Sequence, residues 1–285
     1  MTKWFCVGCV CLLLLSGCAS SGPVGGSKHI LLSSTIGPID AGIVPALETA
    51  FEKETGIRVR HVGAGTSAAL KTAEKGSVDL VLAHAKSLEE KFVADGFGTE
   101  RIALMYNDFV IMGPKNDPAG IRGMTNAPEA LKKIAQKQVL FVTRGDKSGT
   151  HMAELALWEK AGIKPSGAWY NVFEKGSTGN VPTLQYTDQK GAYTVMDRAT
   201  FLVLKDKIKL VILVEKDEAL LNFMSLIPVN PKKFPRVNYD DAMRFVQWAT
   251  SPEKGQKIIR DFGKDKYGSP LFFPNSKEWK QAQGK

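Results

Sequence analysis

Short apolar runs alternate with amphipathic stretches along most of the chain. His29-Ile30-Leu31-Leu32 has the character of a strand. Behind it Val44, Leu47 and Phe51 recur at helical spacing until Gly56, a residue suited to ending a helix. The pattern continues with strands over 57–62 and 78–83, a short helix between them ending at Gly76, and a helix over 87–95. A strand over 109–112 precedes a boundary rich in turn residues, Gly113-Pro114, Pro118 and Gly120, and Pro128 then opens a helix that reaches Gln138. Further on come a strand over 139–142, a helix through Leu155 and Trp158 to Gly162, and a helix over 181–190 capped by Gly191. Strands over 192–196, 210–214 and 225–229 and helices over 200–207, 239–250 and 252–262 complete the reading. This alternation predicts an α/β fold of largely parallel sheets with helices on their faces.

In such sheets ligands bind beyond the C-terminal ends of strands, at the loops that open helices. Loops 33–37, 63–67 and 144–150 have that position and are rich in Ser, Thr and Gly, and Ser177-Thr178-Gly179-Asn180 also precedes a helix. The most informative of the four is Arg144-Gly145-Asp146-Lys147-Ser148-Gly149-Thr150-His151. Ser148 is placed to cap the following helix, whose first N–H groups and dipole favour an anion, and Arg144 adds a permanent charge with a fork of donors. The plainer reading is that Ser148 only caps and Arg144 only pairs with Asp146. Arg, Ser, Gly and Thr together on one tight turn favour the anion site.

Composition changes the picture mainly at the start of the chain. Lys3 is the one charge before an apolar run from Phe5 to Leu15, too short to span a membrane as a helix. The run ends in Leu15-Ser16-Gly17-Cys18, which resembles the bacterial lipobox. That resemblance implies a signal segment over 1–17, lipid on Cys18 and an extracytoplasmic protein tethered to a membrane. Residues 19–27 are small and rich in Gly and Ser, a flexible tether. All four cysteines (Cys6, Cys9, Cys11 and Cys18) lie in this region, so no disulfide or thiolate metal site is expected beyond it. The net charge of +9 loses only that of Lys3 with the signal segment, leaving +8. The basic residues are scattered, which argues against a nucleic-acid stripe and suits an anionic ligand or membrane surface.

Other motifs carry less. Gly63-x-Gly65-x-x-Ala68 matches the dinucleotide fingerprint in form, but no acidic residue ends a next strand where that fingerprint needs one. His29, His61, His84 and His151 show no metal-ligand spacing, so neither metal nor cofactor is expected. Ser148 and His151 are three residues apart at a helix start and suggest a hydrolase, though no nucleophile elbow is present and Asp146 is too close in sequence to orient the histidine.

Taken together, these segments resemble the tungstate-binding lipoproteins of ABC importers, which have the type II periplasmic binding-protein fold. The matching segments are Asp40-Ala41-Gly42, Phe51-Glu52-Lys53-Glu54-Thr55-Gly56, Tyr106-Asn107-Asp108-Phe109-Val110-Ile111, the 144–151 loop, Leu155-Ala156-Leu157-Trp158 and Gly191-Ala192-Tyr193-Thr194. The resemblance implies two α/β lobes, 28–108 plus 221–285 and 109–220, joined by crossings near Tyr106–Met112 and Leu220–Pro228. It implies a non-enzymatic protein that captures tungstate or molybdate and delivers it to an ABC permease. Contacts are implied at Ser34, Thr35, Thr66, Ser67, Arg144, Ser148, Gly149, Thr150 and Thr183. The chain departs from the family at Ile36-Gly37, where hydroxyl residues are lost, and at Asn180-Val181-Pro182, which replace small residues. The Arg-x-Asp-x-Ser-Gly-Thr order also resembles phosphate-binding proteins of the same fold. Hydrogen phosphate needs a proton acceptor, and Asp146 is either that acceptor or the group that orients Arg144. A phosphate-binding protein, a Ser148/His151 hydrolase and a ligand-free adaptor are the rival readings.

Overall fold

The computed structural model describes Met1 and residues 29–284; the expected signal segment, Cys18 and the tether lie outside the described residues. The chain opens with β1 (His29–Thr35), α1 (Ile36–Asp40), α2 (Ile43–Thr55), β2 (Arg58–Ala64), α3 (Thr66–Ala73), β3 (Leu80–Ala83) and α4 (Lys86–Ala94). The long β4 (Ile102–Gly113) leads into α5 (Ala127–Gln136), β5 (Phe141–Thr143), α6 (Gly149–Lys160), β6 (Tyr170–Val172), α7 (Asn180–Lys190), β7 (Thr194–Asp197), α8 (Arg198–Leu204) and β8 (Val211–Val214). β9 (Leu221–Pro228) returns, followed by α9 (Tyr239–Thr250), α10 (Gly255–Asp261), α11 (Lys264–Tyr267), β10 (Phe273–Pro274) and α12 (Lys277–Ala282).

β1 lies between β2 and β3 and is parallel to both. β9 runs antiparallel to β3, and β4 antiparallel to β9 through the pair Asp108↔Leu221. From Phe109 onward β4 pairs instead with β7 and β8, so one strand belongs to the sheets of both lobes. β5 and β6 are parallel, and β5 meets Tyr193, the residue before β7, through backbone bonds between Val142 and Tyr193 and between Tyr193 and Leu140, both 2.8 Å. The parallel parts are those built by strand–helix–strand units; the crossing strands run against them because they carry the chain out of one sheet and back.

Apolar clusters follow the same division. Ile30, Phe51, Leu80, Leu104, Phe245 and Trp248 belong to one core, with a satellite at Val81, Phe92 and Ile227. Phe109, Phe141, Trp158 and Tyr193 belong to another, with a satellite at Val110, Leu184 and Met196. The exception is α8: Phe201 and Leu204 pack within the second lobe, while Ala199 and Leu202 pack onto the first. Arg198 at the start of α8 donates to both Asp108 carboxylate oxygens and to Glu215 at 2.8 Å, bracing the crossing.

Candidate functional site

Four helix N-termini converge on one cavity of about 650 Å³ between the lobes. β1 continues through Ser33-Ser34-Thr35, which the sequence reading placed in a loop, and α1 starts at once, so Thr35, Ile36 and Gly37 reach the cavity wall. Ala64, Gly65 and Thr66 arrive at the start of α3, Ser148, Gly149 and Thr150 at the start of α6, and Ser177–Asn180 at the start of α7. The starts of α1, α3 and α7 have no side-chain cap bond. Their first N–H groups are thus left for another acceptor, and the four dipoles share the positive end. Only α6 is capped, with Ser148 Oγ accepting from the His151 amide at 3.4 Å.

Two hydroxyls strengthen the anion reading. Thr35 Oγ1 and Thr66 Oγ1 are buried at the cavity wall with no hydrogen-bond partner. A buried polar atom without a partner costs about 1–3 kcal/mol, a cost that an oxyanion between the helices removes. Arg144 Nε is likewise buried and unpartnered.

The rest of the Arg144 guanidinium is held. Nη2 donates to Asp146 Oδ2 at 2.6 Å and Nη1 to Asn180 Oδ1. Asn180 Nδ2 in turn donates to Asp197 Oδ2 at 2.6 Å, and that oxygen also accepts from Thr200 Oγ1 at 2.6 Å. Asp146 Oδ1 accepts from the Ser148 amide at 3.1 Å. Burial alone would raise the Asp146 carboxyl, but the hydrogen bonds with Ser148 and the Arg144 cation hold it below its ordinary range. Asp146 is therefore an ionised clamp on Arg144 and the 144–150 loop. Across the cavity, burial raises the Asp40 carboxyl against the pull of Arg144, and Asp197 raises it further.

His84, just past β3 in the first lobe, also lines the cavity and hydrogen-bonds the Asn222 side chain. A Cβ at residue 149 would lie 2.6 Å from His84 Nε2 and closer still to Cε1, so only glycine fits where the imidazole meets the start of α6.

The cavity thus gathers Thr35, Thr66, Arg144, Ser148, Gly149 and Thr150 from the expected set. Ser34 is buried in β1 and donates to the Thr35 carbonyl at 3.1 Å, and Ser67 is exposed on α3. Thr183 is buried and donates to the Gly179 carbonyl at 2.8 Å, inside the first turn of α7. These three do not line the cavity. The sequence reading missed Asp40, His84, Asn107, Asn180, Asp197 and Asn222 as cavity residues. Asn180 ended the fourth of the loops already of interest, and Asp40 and Asn107 stood in segments that carry the family resemblance; His84, Asp197 and Asn222 carried no local signal. The Ser148/His151 pair is not assembled for nucleophilic attack: His151 Nδ1 accepts from the Lys147 amide at 2.9 Å rather than facing the hydroxyl.

A family model described as a PBP superfamily domain matches residues 19–253. The chain is similar to the tungstate-binding protein TupA of Peptoclostridium acidaminophilum, 42% identical over 273 residues that cover 93% of this chain and 94% of the relative. Among solved structures it is similar to the tungstate-binding protein TupA from Desulfovibrio alaskensis G20, with TM-score 0.79, 42% identity and coverage of 88% of this chain and 100% of that one. It is also similar to the tungstate ABC transporter structure from Geobacter sulfurreducens, with TM-score 0.73, 47% identity and coverage of 82% and 99%.

Proposed function

The chain belongs to the TupA family of ABC-transporter substrate-binding proteins, within the PBP superfamily, and from that premise we propose that it captures tungstate or molybdate for an ABC permease. It is a binding protein, not an enzyme. The observation that carries the ligand class is the pair of buried, unpartnered hydroxyls, Thr35 and Thr66, in a cavity shared with the α6 N-terminus and Arg144. In this reading those hydroxyls and the Ser148–Thr150 turn coat the anion, with Arg144 as its main charge partner. Ser34, Ser67 and Thr183 act by shaping the loops that carry the donors. Lobe 1 comprises 28–108 plus 221–285, and lobe 2 comprises 109–220.

In this reading Asp146 orients Arg144 and the 144–150 turn, since its two oxygens accept from Arg144 Nη2 and from the Ser148 amide. Lipid on Cys18 holds the protein to a membrane, a reading supported by Leu15-Ser16-Gly17-Cys18. The test is a thermal-shift panel of tungstate, molybdate, sulfate and phosphate. A ligand specific to the folded state stabilises by about 4 kcal/mol at roughly a thousandfold excess over Kd. Tungstate or molybdate at micromolar concentration should raise Tm by several degrees; a response to phosphate alone would overturn the ligand assignment.

A further inference from the structure

The cavity floor holds a chain of three polar side chains that the anion site does not explain. His84 stands on the first lobe, immediately beyond β3, and its ring lies against Gly149, the first residue of α6 in the second lobe. The same ring hydrogen-bonds Asn222. Asn222 Nδ2 donates to Asn107 Oδ1 at 2.8 Å, and the two residues sit directly opposite each other on β9 and β4. Both are buried, 9% and 6% exposed, in a position where the strands still pair with each other. One residue further, past Asp108↔Leu221, β4 passes into the second sheet.

We propose that His84 is a positioning residue that couples the anion loop of lobe 2 to the two strands on which the lobes turn. The inference rests on the reading that the anion sits at the start of α6. A ligand drawn onto those N–H groups shifts α6 against the imidazole, because close-packed groups transmit displacement rather than absorb it. The imidazole passes the shift to Asn222, and the Asn222–Asn107 pair carries it across β9 and β4. Such a chain has few alternative arrangements, because each buried polar atom that loses its partner is penalised. The ring acts by contact rather than by charge: burial pushes its pKa down to about 4, so it is neutral at ordinary pH.

The test uses tungstate as the probe, with titration calorimetry and small-angle scattering on the full chain and on His84→Ala, His84→Gln, Asn222→Ala and the double variant. Wild type should bind and contract. His84→Ala should bind about tenfold more weakly, within the usual range of coupling between sites, and contract less. His84→Gln, which retains an amide donor for Asn222, should recover part of the affinity and provides the reading if the alanine variant fails to fold. The double variant should bind no more weakly than the worse single variant, because one chain is cut only once.

A second arm needs no ligand. Gly149→Ala should enlarge the free protein by wedging the new methyl against the imidazole, and adding His84→Ala should reverse this. Failure of wild type to bind tungstate would sink the anion reading on its own. The coupling fails separately if wild type contracts on binding and the His84 variants match it within twofold in Kd and fully in contraction, or if the two single effects simply add.

Discussion

Arg144 is held on one side by Asp146 and on the other by Asn180, and this bears on what its removal does. Arg144→Ala takes away the fork of donors and also leaves the Asp146 carboxylate uncompensated beside the anion. Both effects weaken binding, so the loss is about 2–5 kcal/mol, roughly thirtyfold to several-thousandfold in Kd. Arg144→Lys should recover only part, since a point charge cannot replace the fork. Thr150→Ala should lose about 1 kcal/mol, the contribution of one neutral donor. Calorimetric titration gives the order; a folded Arg144→Ala that binds within a factor of about two of wild type would mean the site is misplaced. A second residue-scale expectation concerns Glu154, 2% exposed on α6, whose Oε1 accepts from Trp158 Nε1 at 3.1 Å and Tyr170 Oη at 2.8 Å. Burial pushes its pKa up to about 7, against 4.5 as the ordinary value. The folded protein therefore keeps a proton that the unfolded chain loses. Stability should fall between about pH 4.5 and 7, by roughly 3 kcal/mol, and level off above. Glu154→Gln should flatten that slope and exceed wild type in Tm at pH 8, as melts across pH would show. At this scale the contiguous 144–150 loop was legible because one turn brings its donors together. His84, Asn107 and Asn222 were not, because only the pairing of β3, β9 and β4 makes them neighbours.

The elements that matter most are the helix starts. α1, α3 and α7 begin without a side-chain cap, an arrangement that leaves amides unsatisfied until an acceptor arrives. α6 differs, and Ser148→Ala should therefore act twice: loss of the cap should lower stability by about 1 kcal/mol, seen as a Tm lower by a few degrees without ligand, and affinity should also fall. A variant that loses affinity with no change in Tm would separate Ser148 from its capping role. Helices such as α5 and α9 were readable from spacing, with Pro128 marking the start of the former. β4 was readable only in its second half. Its first half pairs with β9 and its second with β7 and β8, so no single alternation of buried and exposed positions runs along it. β6 was missed because three residues, two half-buried and one exposed, leave no period to detect.

At the scale of the molecule the cavity is too large for a five-atom anion, since volumes of about 300–1,000 Å³ are those that hold drug-sized ligands. Ile36 on one side, and Val181 and Val203 on the other, line it while remaining 50%, 38% and 48% exposed. Closure over the ligand would bury them as an apolar cover. Tungstate should accordingly reduce the radius of gyration in small-angle scattering, and identical curves would count against a clamp. Cys18→Ser should move the protein from the membrane to a soluble extracytoplasmic fraction on cell fractionation, and an unchanged membrane fraction would remove the anchor. The shared β4 strand has a consequence of a different kind. The chain leaves the first sheet at Asp108 and re-enters at Leu221, and those residues are paired neighbours, about 5 Å apart as such pairs are. A two-residue turn would bridge that gap, so the whole second lobe is an insert whose ends already meet. Arg144 and its clamp travel with the insert, while Thr35 and Thr66 stay with the host. In the proposed reading the ligand contacts are thereby divided between insert and host, so an exchanged insert would bring its own counterparts of Arg144 and Thr150 and meet the Thr35 and Thr66 already in place.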